Sequence, residues 1–585
     1  MPYEPPTDAM LYVLQRAARA TERLRDLPPY AEVDADLIRQ LMDEAGKFVS
    51  AKIAPLNRSG DEIGVRLHDG QVTTPPGFAD AYQAFWQAGW PALSAATEDG
   101  GQGLPTVLEV MLFEMLSAAN HGWTMAPDLL HGAYECIKHH GSDALKDRYL
   151  RKLASGEWLA TMCLTEPQAG SDLGLVNTRA LAQSDGSYRL SGTKIFISGG
   201  EHDLSSNIVH LVLARLPDAA PGTKGLSLFL APKFLPDGTR NAVHCDRLEE
   251  KMGLHASATC VMRFDTSTAW IIGQSGRGLQ AMFVMMNSAR LHVAMQGIGT
   301  LDAAWQKANA YALERRQMRA PGRKPELATG GTAAPRHADL IAQHPAMRRI
   351  LDTQRAWIDA ARVIAYRTAL ELDIAKQHPQ AARRDAAQRW CALTTPVLKA
   401  AFTRQAFDGS SECLQVFGGH GYVRESGIEQ HLRDARVTMI YEGSNEIQAI
   451  DLLVRKVVPD GAAVFSLWLD DLRADLDPTL AADARVLSRL ADLQAMSQRV
   501  TQAAAHDETL AYWVAEDFLR CTALVLLDWA FAQIAKTPDA STQRWAAPAH
   551  ALERWVMPEL AMRLGIIHAA CEASQSGAVP AHANP

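Results

Sequence analysis

The chain has 585 residues, 47% of them hydrophobic, and a formal charge of −8. That length and apolar content support several domain-sized units with a sizeable core and exclude a disordered chain. The mild acidity excludes a general electrostatic attraction to nucleic acid.

The start, "MPYEPPTDAM", has no basic region followed by an apolar run, so it does not read as a signal peptide. Residues 1–158 read as an N-terminal helical domain, with apolar positions three and four apart in "ADLIRQLMDEAGKFVSAKIAPLN" and "VLEVMLFEMLSAAN". Residues 159–275 read as an antiparallel β-domain: "WLATMCLT", "SYRLSGTKIFIS", "NIVHLVLARL", "GLSLFLAP" and "TCVMRFD" are short strands punctuated by Gly, Pro, Asp and Ser. Residues 276–458 return to helix, with a long pattern over 278–318, a Pro- and Gly-rich loop over 319–337, and further helices over 338–377 and 381–416. Residues 459–585 form an additional C-terminal helical domain with 16 acidic and 9 basic residues, ending in a Ser/Ala/Pro tail. The longest apolar runs, such as "CTALVLL" at 521–527, are too short to span a bilayer. Eight scattered cysteines without a CxxC pair fit reduced thiols better than a disulfide framework or a zinc site. The reading is a soluble, cytoplasmic α+β protein with no transmembrane segment and no metal, its helices and strands segregated rather than alternating.

There is no phosphate-binding GxxxxGK[ST] loop, no HExxH and no GxSxG elbow. "MIYEGSNEIQAIDLL" (439–453) is more informative. Ile447, Ile450 and Leu453 recur at helical spacing, and with Gly443 as N-cap, Glu446 would sit in the first turn, where a carboxylate favours the helix dipole. Glu442 precedes the cap and points off the helix end beside a residue without a side chain. The local pattern leaves it open whether Glu442 is catalytic or solvated. "CLTEPQAGSD" (163–172) and "GTKIFISGGEHD" (192–203) are glycine-flanked strand ends able to approach a flat polar ligand, although each alone is more often a turn.

Taken together, six segments resemble the acyl-CoA dehydrogenase family, in the family's order: "CLTEPQAGSD", "KIFIS", "KMGLHASAT" (251–259), "YALERRQM" (311–318), "CLQVFGGHGYVRE" (413–425) and "IYEGSNEIQ" (440–448). The resemblance spans roughly residues 40–455. "ISGGEHDL", "MMNSARL" and the start resemble a long bacterial branch with an added C-terminal helical domain, which includes 3-methylmercaptopropionyl-CoA and fatty acyl-CoA dehydrogenases. Phe196 departs from the tryptophan of many relatives but keeps an aromatic face.

The resemblance implies FAD-dependent α,β-dehydrogenation of an acyl-CoA to the trans-2-enoyl-CoA. Glu442 would remove the α-proton as a β-hydride passes to flavin N5. The thioester oxygen would accept hydrogen bonds from the Glu442 N–H and a ribityl hydroxyl of FAD. The alternative place for the base, just before Arg290, is Ala289, which carries no acid. Leu164, Thr165, Ser171, Phe196, Ser198, Arg315, Gln415, Gly418, Gly419, Ser444 and Glu446 would bind FAD, with Arg315 and the 415–419 segment reaching across a dimer interface. Ser171, Asn287, Arg290, Tyr441 and Gly443 would contact the substrate. The expected partners are an acyl-CoA, an electron-transfer flavoprotein and a second copy of the chain in a homodimer. An acyl-CoA oxidase using O2 is the alternative enzyme. A DNA-binding flavoprotein of the same superfamily is disfavoured, because its C-terminal region would need to be basic.

Overall fold

The computed structural model of the chain describes residues 3–322 and 338–575. Most of the loop expected at 319–337, and the Ser/Ala/Pro tail, therefore lie outside the described residues. Helix α1 (Ala35–Phe48) starts at Asp34, whose carboxylate accepts the Leu37 N–H at 2.8 Å, and buries Ile38, Met42 and Ala45 along one face. A short hairpin follows, Arg66–His68 with Gln71–Thr73, turning at Asp69-Gly70, where both φ angles are positive. It was not anticipated within a helical region. Helix α2 (Thr106–Thr124) is buried along nearly its whole length, and α3 (Leu130–His140) and α4 (Asp143–Ser155) complete this part.

The middle of the chain forms a seven-stranded sheet: β1 (Leu159–Cys163), β2 (Arg179–Ala182), β3 (Tyr188–Ser198), β4 (Ile208–Arg215), β5 (Leu226–Pro232), β6 (Val243–Leu248) and β7 (Thr259–Ile272). β4 pairs with both β2 and β5, and β3 and β7 join the other ends, so five strands close on themselves while β1 and β6 are appended. The sheet is not purely antiparallel, as the alternating runs suggested. β1 runs parallel to β4, and β2 meets β4 in parallel at Arg179 and Arg215. Alternation along one strand records which face is buried, not the direction of its neighbour.

Three long helices then cross: α5 (Gly278–Glu314), α6 (Pro345–Gln377) and α7 (Ala381–Val416). Gly297 and Gly299 allow close packing. A Cβ on Gly299 would lie 2.5 Å from the Glu114 carbonyl oxygen, and one on Gly297 would lie 3.0 Å from that of Phe402. Arg362 ties the crossing together, with Nε 2.6 Å from Glu114 and Nη2 3.0 Å from Asp302, all fully buried. Helices α8 (Glu429–Arg436) and α9 (Asn445–Leu452) lead to further helices, the longer ones being α10 (Ala463–Arg473), α11 (Ala481–Ala504), α12 (Ala515–Ala535), α13 (Gln543–Ala551) and α14 (Pro558–Gln575).

Helix α12 is long and apolar enough to cross a membrane by length and composition, but 89% of its apolar window is buried in protein. It packs on α6, α7 and α9. Trp390 and Trp529 meet with ring centroids 5.6 Å apart, and Arg544 grips buried Asp359 through two contacts of 2.7 and 2.8 Å. The result is an α+β architecture: helices, a β-domain, a helical bundle and additional C-terminal helices.

Candidate active site

Glu442 and Gly443 form a left-handed turn between α8 and α9, with φ of +56° and +80°. A non-glycine residue in that region is strained and persists only where its surroundings hold it. Two side chains from different helices do so. Gln448 of α9 donates to the carbonyl oxygens of Glu442 (3.0 Å) and Gly443 (3.3 Å). Lys399, buried on α7, donates to the Gly443 carbonyl at 2.7 Å and to Asn445 Oδ1 at 3.2 Å. The Glu442 N–H donates to no protein acceptor among the described residues, which leaves it available to a ligand.

The N-cap of α9 is Ser444, not Gly443, because its hydroxyl accepts the Ile447 N–H. Glu446 is exposed in the first turn as expected. Burial works against its charge, but the Ser444 hydroxyl and more distant Lys399 and Arg436 hold its carboxyl below the usual range.

The half-buried Glu442 carboxyl behaves differently. Burial, and then the charge of Asp128, push it up to about 7, against the pull of Arg290 and Lys399. Burial pulls Lys399 down to about 7, against the charge of Glu442. Arg290 is buried, its Nε has no hydrogen-bond partner among the described residues, and its Nη2 lies 3.9 Å from where a Gly443 Cβ would be. The structure therefore brings Arg290, Tyr441, Glu442, Gly443 and Ser444 together.

A second group forms at the rim of the β-domain. Leu164 and Thr165 follow β1. The Leu164 carbonyl accepts from Lys194 Nζ at 2.9 Å, and the Thr165 carbonyl accepts the Ile195 N–H at 2.9 Å. Those bonds set them beside Phe196 and Ser198 on β3. At Phe196 a bulge gives φ +58° and turns the ring outward, 60% exposed. Met252 (58%), between β6 and β7, and Ile440 (55%), two residues before Glu442, are also exposed apolar side chains.

A third group lies at the end of α5. Tyr311 stacks on Phe417 at 4.3 Å and meets His420 at 3.2 Å, which joins Arg315 to the turn carrying Gln415, Gly418 and Gly419. Arg315, Gln415 and both glycines are exposed, and a Cβ on either glycine would meet nothing within 4 Å among the described residues. Among the described residues no hydrogen bond joins this group to Glu442. Ser171 and Asn287 are exposed and likewise untied to the other groups. A separate cleft lined by Asn57, Arg58, Trp305, Lys307 and Gln430 contains none of the anticipated site residues. Among the described residues no three His, Cys, Asp or Glu side chains gather as metal ligands.

Sequence reasoning missed Lys399, Gln448, Asp128, His292 and Gln296. The available signal was weak: Lys399 is a lone lysine in "PVLKAAF", and His292 and Gln296 stand four apart on one face of an otherwise apolar helix.

The acyl-CoA dehydrogenase N-terminal, middle and C-terminal domain families match residues 36–157, 161–267 and 332–456. The chain is similar to the 3-methylmercaptopropionyl-CoA dehydrogenase of Ruegeria pomeroyi, 39% identical over 92% of this chain and 93% of that protein. The chain belongs to the acyl-CoA dehydrogenase family. It is thus an oxidoreductase of a family that uses FAD.

Two solved structures share the acyl-CoA dehydrogenase fold. ACDH-11 of Caenorhabditis elegans in complex with C11-CoA has a TM-score of 0.76 and 22% identity, covering 92% of this chain and 90% of that one. An acyl-CoA dehydrogenase from Bacillus anthracis complexed with FAD has a TM-score of 0.72 and 19% identity, covering 96% of this chain and 91% of that one. The residues present fit that cofactor. An outward-facing aromatic ring, strand-end hydroxyls and an open glycine turn beside an arginine suit a flat ring system and a diphosphate.

Proposed function

We propose that this acyl-CoA dehydrogenase converts an acyl-CoA thioester to the trans-2-enoyl-CoA, with Glu442 as the base that removes the α-proton. The observation that carries this reading is the Glu442 carboxyl itself, raised to about 7 in a clamped left-handed turn. A base with a pKa near the working pH combines a useful ionised fraction with driving force for proton removal. The free Glu442 N–H supports a second role. It suits the thioester oxygen, on which negative charge grows as the proton leaves, and one such donor is worth roughly 10²–10³ in rate.

Leu164, Thr165, Phe196 and Ser198 would hold the flavin ring, with Ser444 and Glu446 at its edge. Bound FAD supplies the hydride acceptor. Arg315, Gln415, Gly418 and Gly419 would bind the diphosphate, and their separation from Glu442 within one chain supports a homodimer in which each copy completes its partner's cofactor site. Arg290, Tyr441 and Gly443 would face the acyl thioester, with Ser171 and Asn287 further out along CoA. An electron-transfer flavoprotein is the proposed acceptor. The name of the Ruegeria relative makes 3-methylmercaptopropionyl-CoA the first substrate to test, beside straight-chain fatty acyl-CoAs.

The test is anaerobic bleaching of the bound flavin by that panel, with wild type and Glu442→Gln in parallel. Rapid bleaching of wild type by one acyl class, with the variant remaining yellow, is the expected result. Equal bleaching of both proteins would remove Glu442 as the base.

A further inference from the structure

A buried chain of polar groups runs away from Glu442. The Tyr441 hydroxyl donates to Gln296 Oε1, and Gln296 Nε2 donates to Asp128 Oδ2 at 3.2 Å. His292 Nδ1 lies 3.3 Å from Asp128 Oδ1, and its Nε2 lies 3.6 Å from Glu109 Oε1. The imidazole stacks on Phe113 with centroids 4.4 Å apart. Asp128, His292 and Glu109 are each at most 4% exposed. Burying three ionisable groups in a row is costly, and a well-packed apolar cluster would be at least as stable. Stability is therefore weak grounds for the arrangement.

We infer that Asp128 and His292 form a positioning couple for Glu442, acting through Gln296 and Tyr441. This rests on Glu442 being the base. The couple has two effects. It anchors the tip of the Tyr441 ring, the residue directly before the strained Glu442, so the carboxyl cannot swing with its neighbour. It also places a carboxylate where its charge reaches Glu442, and the imidazole beyond it limits that charge.

The groups facing Glu442 are Asp128 from the turn after α2, Arg290 from α5 and Lys399 from α7. Those facing His292 are Asp128 and, from α2, Glu109. Burial works against a charged His292, but Asp128 and Glu109 push it up to about 9, so the ring is cationic at neutral pH. The sign then follows for each member. Removing the Asp128 charge leaves Arg290 and Lys399 unopposed and makes Glu442 more acidic. Removing the His292 cation takes away the counter-charge beside Asp128, while Glu109 keeps Ser94 and His131, and makes Glu442 less acidic.

The experiment is an infrared pH titration of the holoenzyme, following the carboxyl band that Glu442→Gln deletes. It needs no substrate and no turnover. The wild-type midpoint is expected near 7. Asp128→Asn should move it to lower pH and His292→Gln to higher pH, each by on the order of half a unit to one unit. Asp128→Glu, which keeps the charge, should restore it. Gln296→Met should leave the midpoint in place and slow flavin bleaching by 3-methylmercaptopropionyl-CoA or butyryl-CoA, because only the mechanical link is cut.

Flavin content and melting temperature show which variants are folded. A purely structural role would lower both and move no midpoint. Midpoints that stay fixed, or move the same way in Asp128→Asn and His292→Gln, overturn the inference. Bleaching of Glu442→Gln at the wild-type rate would instead remove the base assignment, so the two failures are distinguishable.

Discussion

Lys399→Met isolates what the clamp on the left-handed turn contributes. Methionine keeps the length of the lysine stem but removes its two hydrogen bonds, at 2.7 Å to the Gly443 carbonyl and 3.2 Å to Asn445 Oδ1. Asn445 retains bonds to Thr403 and Ala400, so the Gly443 carbonyl is the group most affected, with one weaker contact from Gln448 remaining. With Lys399 at about 7, the lost hydrogen bond costs about 1.5–3 kcal/mol where the lysine is charged and about 0.5–1.5 kcal/mol where it is neutral, as at pH 9. The loss also acts on the chemistry. Lys399 draws the Glu442 carboxyl downward, so its removal shifts Glu442 above about 7. A one-unit upward shift cuts the ionised fraction at pH 7 from about one half to about one tenth, roughly a fivefold loss of rate. Stopped-flow bleaching between pH 6 and 9 separates the two effects. The electrostatic loss should disappear at pH 9, where the carboxyl is ionised in both proteins, and any remaining deficit measures the clamp. A variant that follows the wild-type profile at every pH would refute the reasoning for both.

Glu442→Gln should stabilise the protein in a pH-dependent way. The folded-state carboxyl is raised from 4.5 to about 7, so its stability penalty is absent below the unfolded value, grows between the two and is complete above about 7. The variant should therefore match wild type near pH 4.5 and exceed it at pH 8 by up to about 3 kcal/mol, as read by denaturant melts at the two pH values. Gly443→Ala meets two obstacles, a φ of +80° and a Cβ 2.8 Å from Gln448 Nε2. It should lose about 1–2 kcal/mol of stability and bleach more slowly than wild type, with flavin still bound.

Several elements were legible because their cause is local. The apolar positions three and four apart in α1 and the period-two runs of the β-domain report how each segment is buried whatever lies opposite. The six family segments likewise located Glu442 in the chain, and the left-handed turn agrees with the glycine beside it. Two readings failed, one for a local reason and one for a distant one. The cap moved to Ser444 because a hydroxyl competes better than a bare backbone for the first free N–H. Strand direction was misread because alternation carries no information about the neighbouring strand.

By itself, the sequence determined the α+β class, the order of its helices and strands, and the family to which it belongs, since periodicity, capping and motif order depend on residues a few positions apart. Only the tertiary structure decided the chemical character of Glu442. Lys399 lies 44 positions before Gly443, and Asp128, His292 and Arg290 come from a turn and a helix further back still. The acidity of a carboxyl depends on the burial and charge around it, and those are set by helices that meet in space.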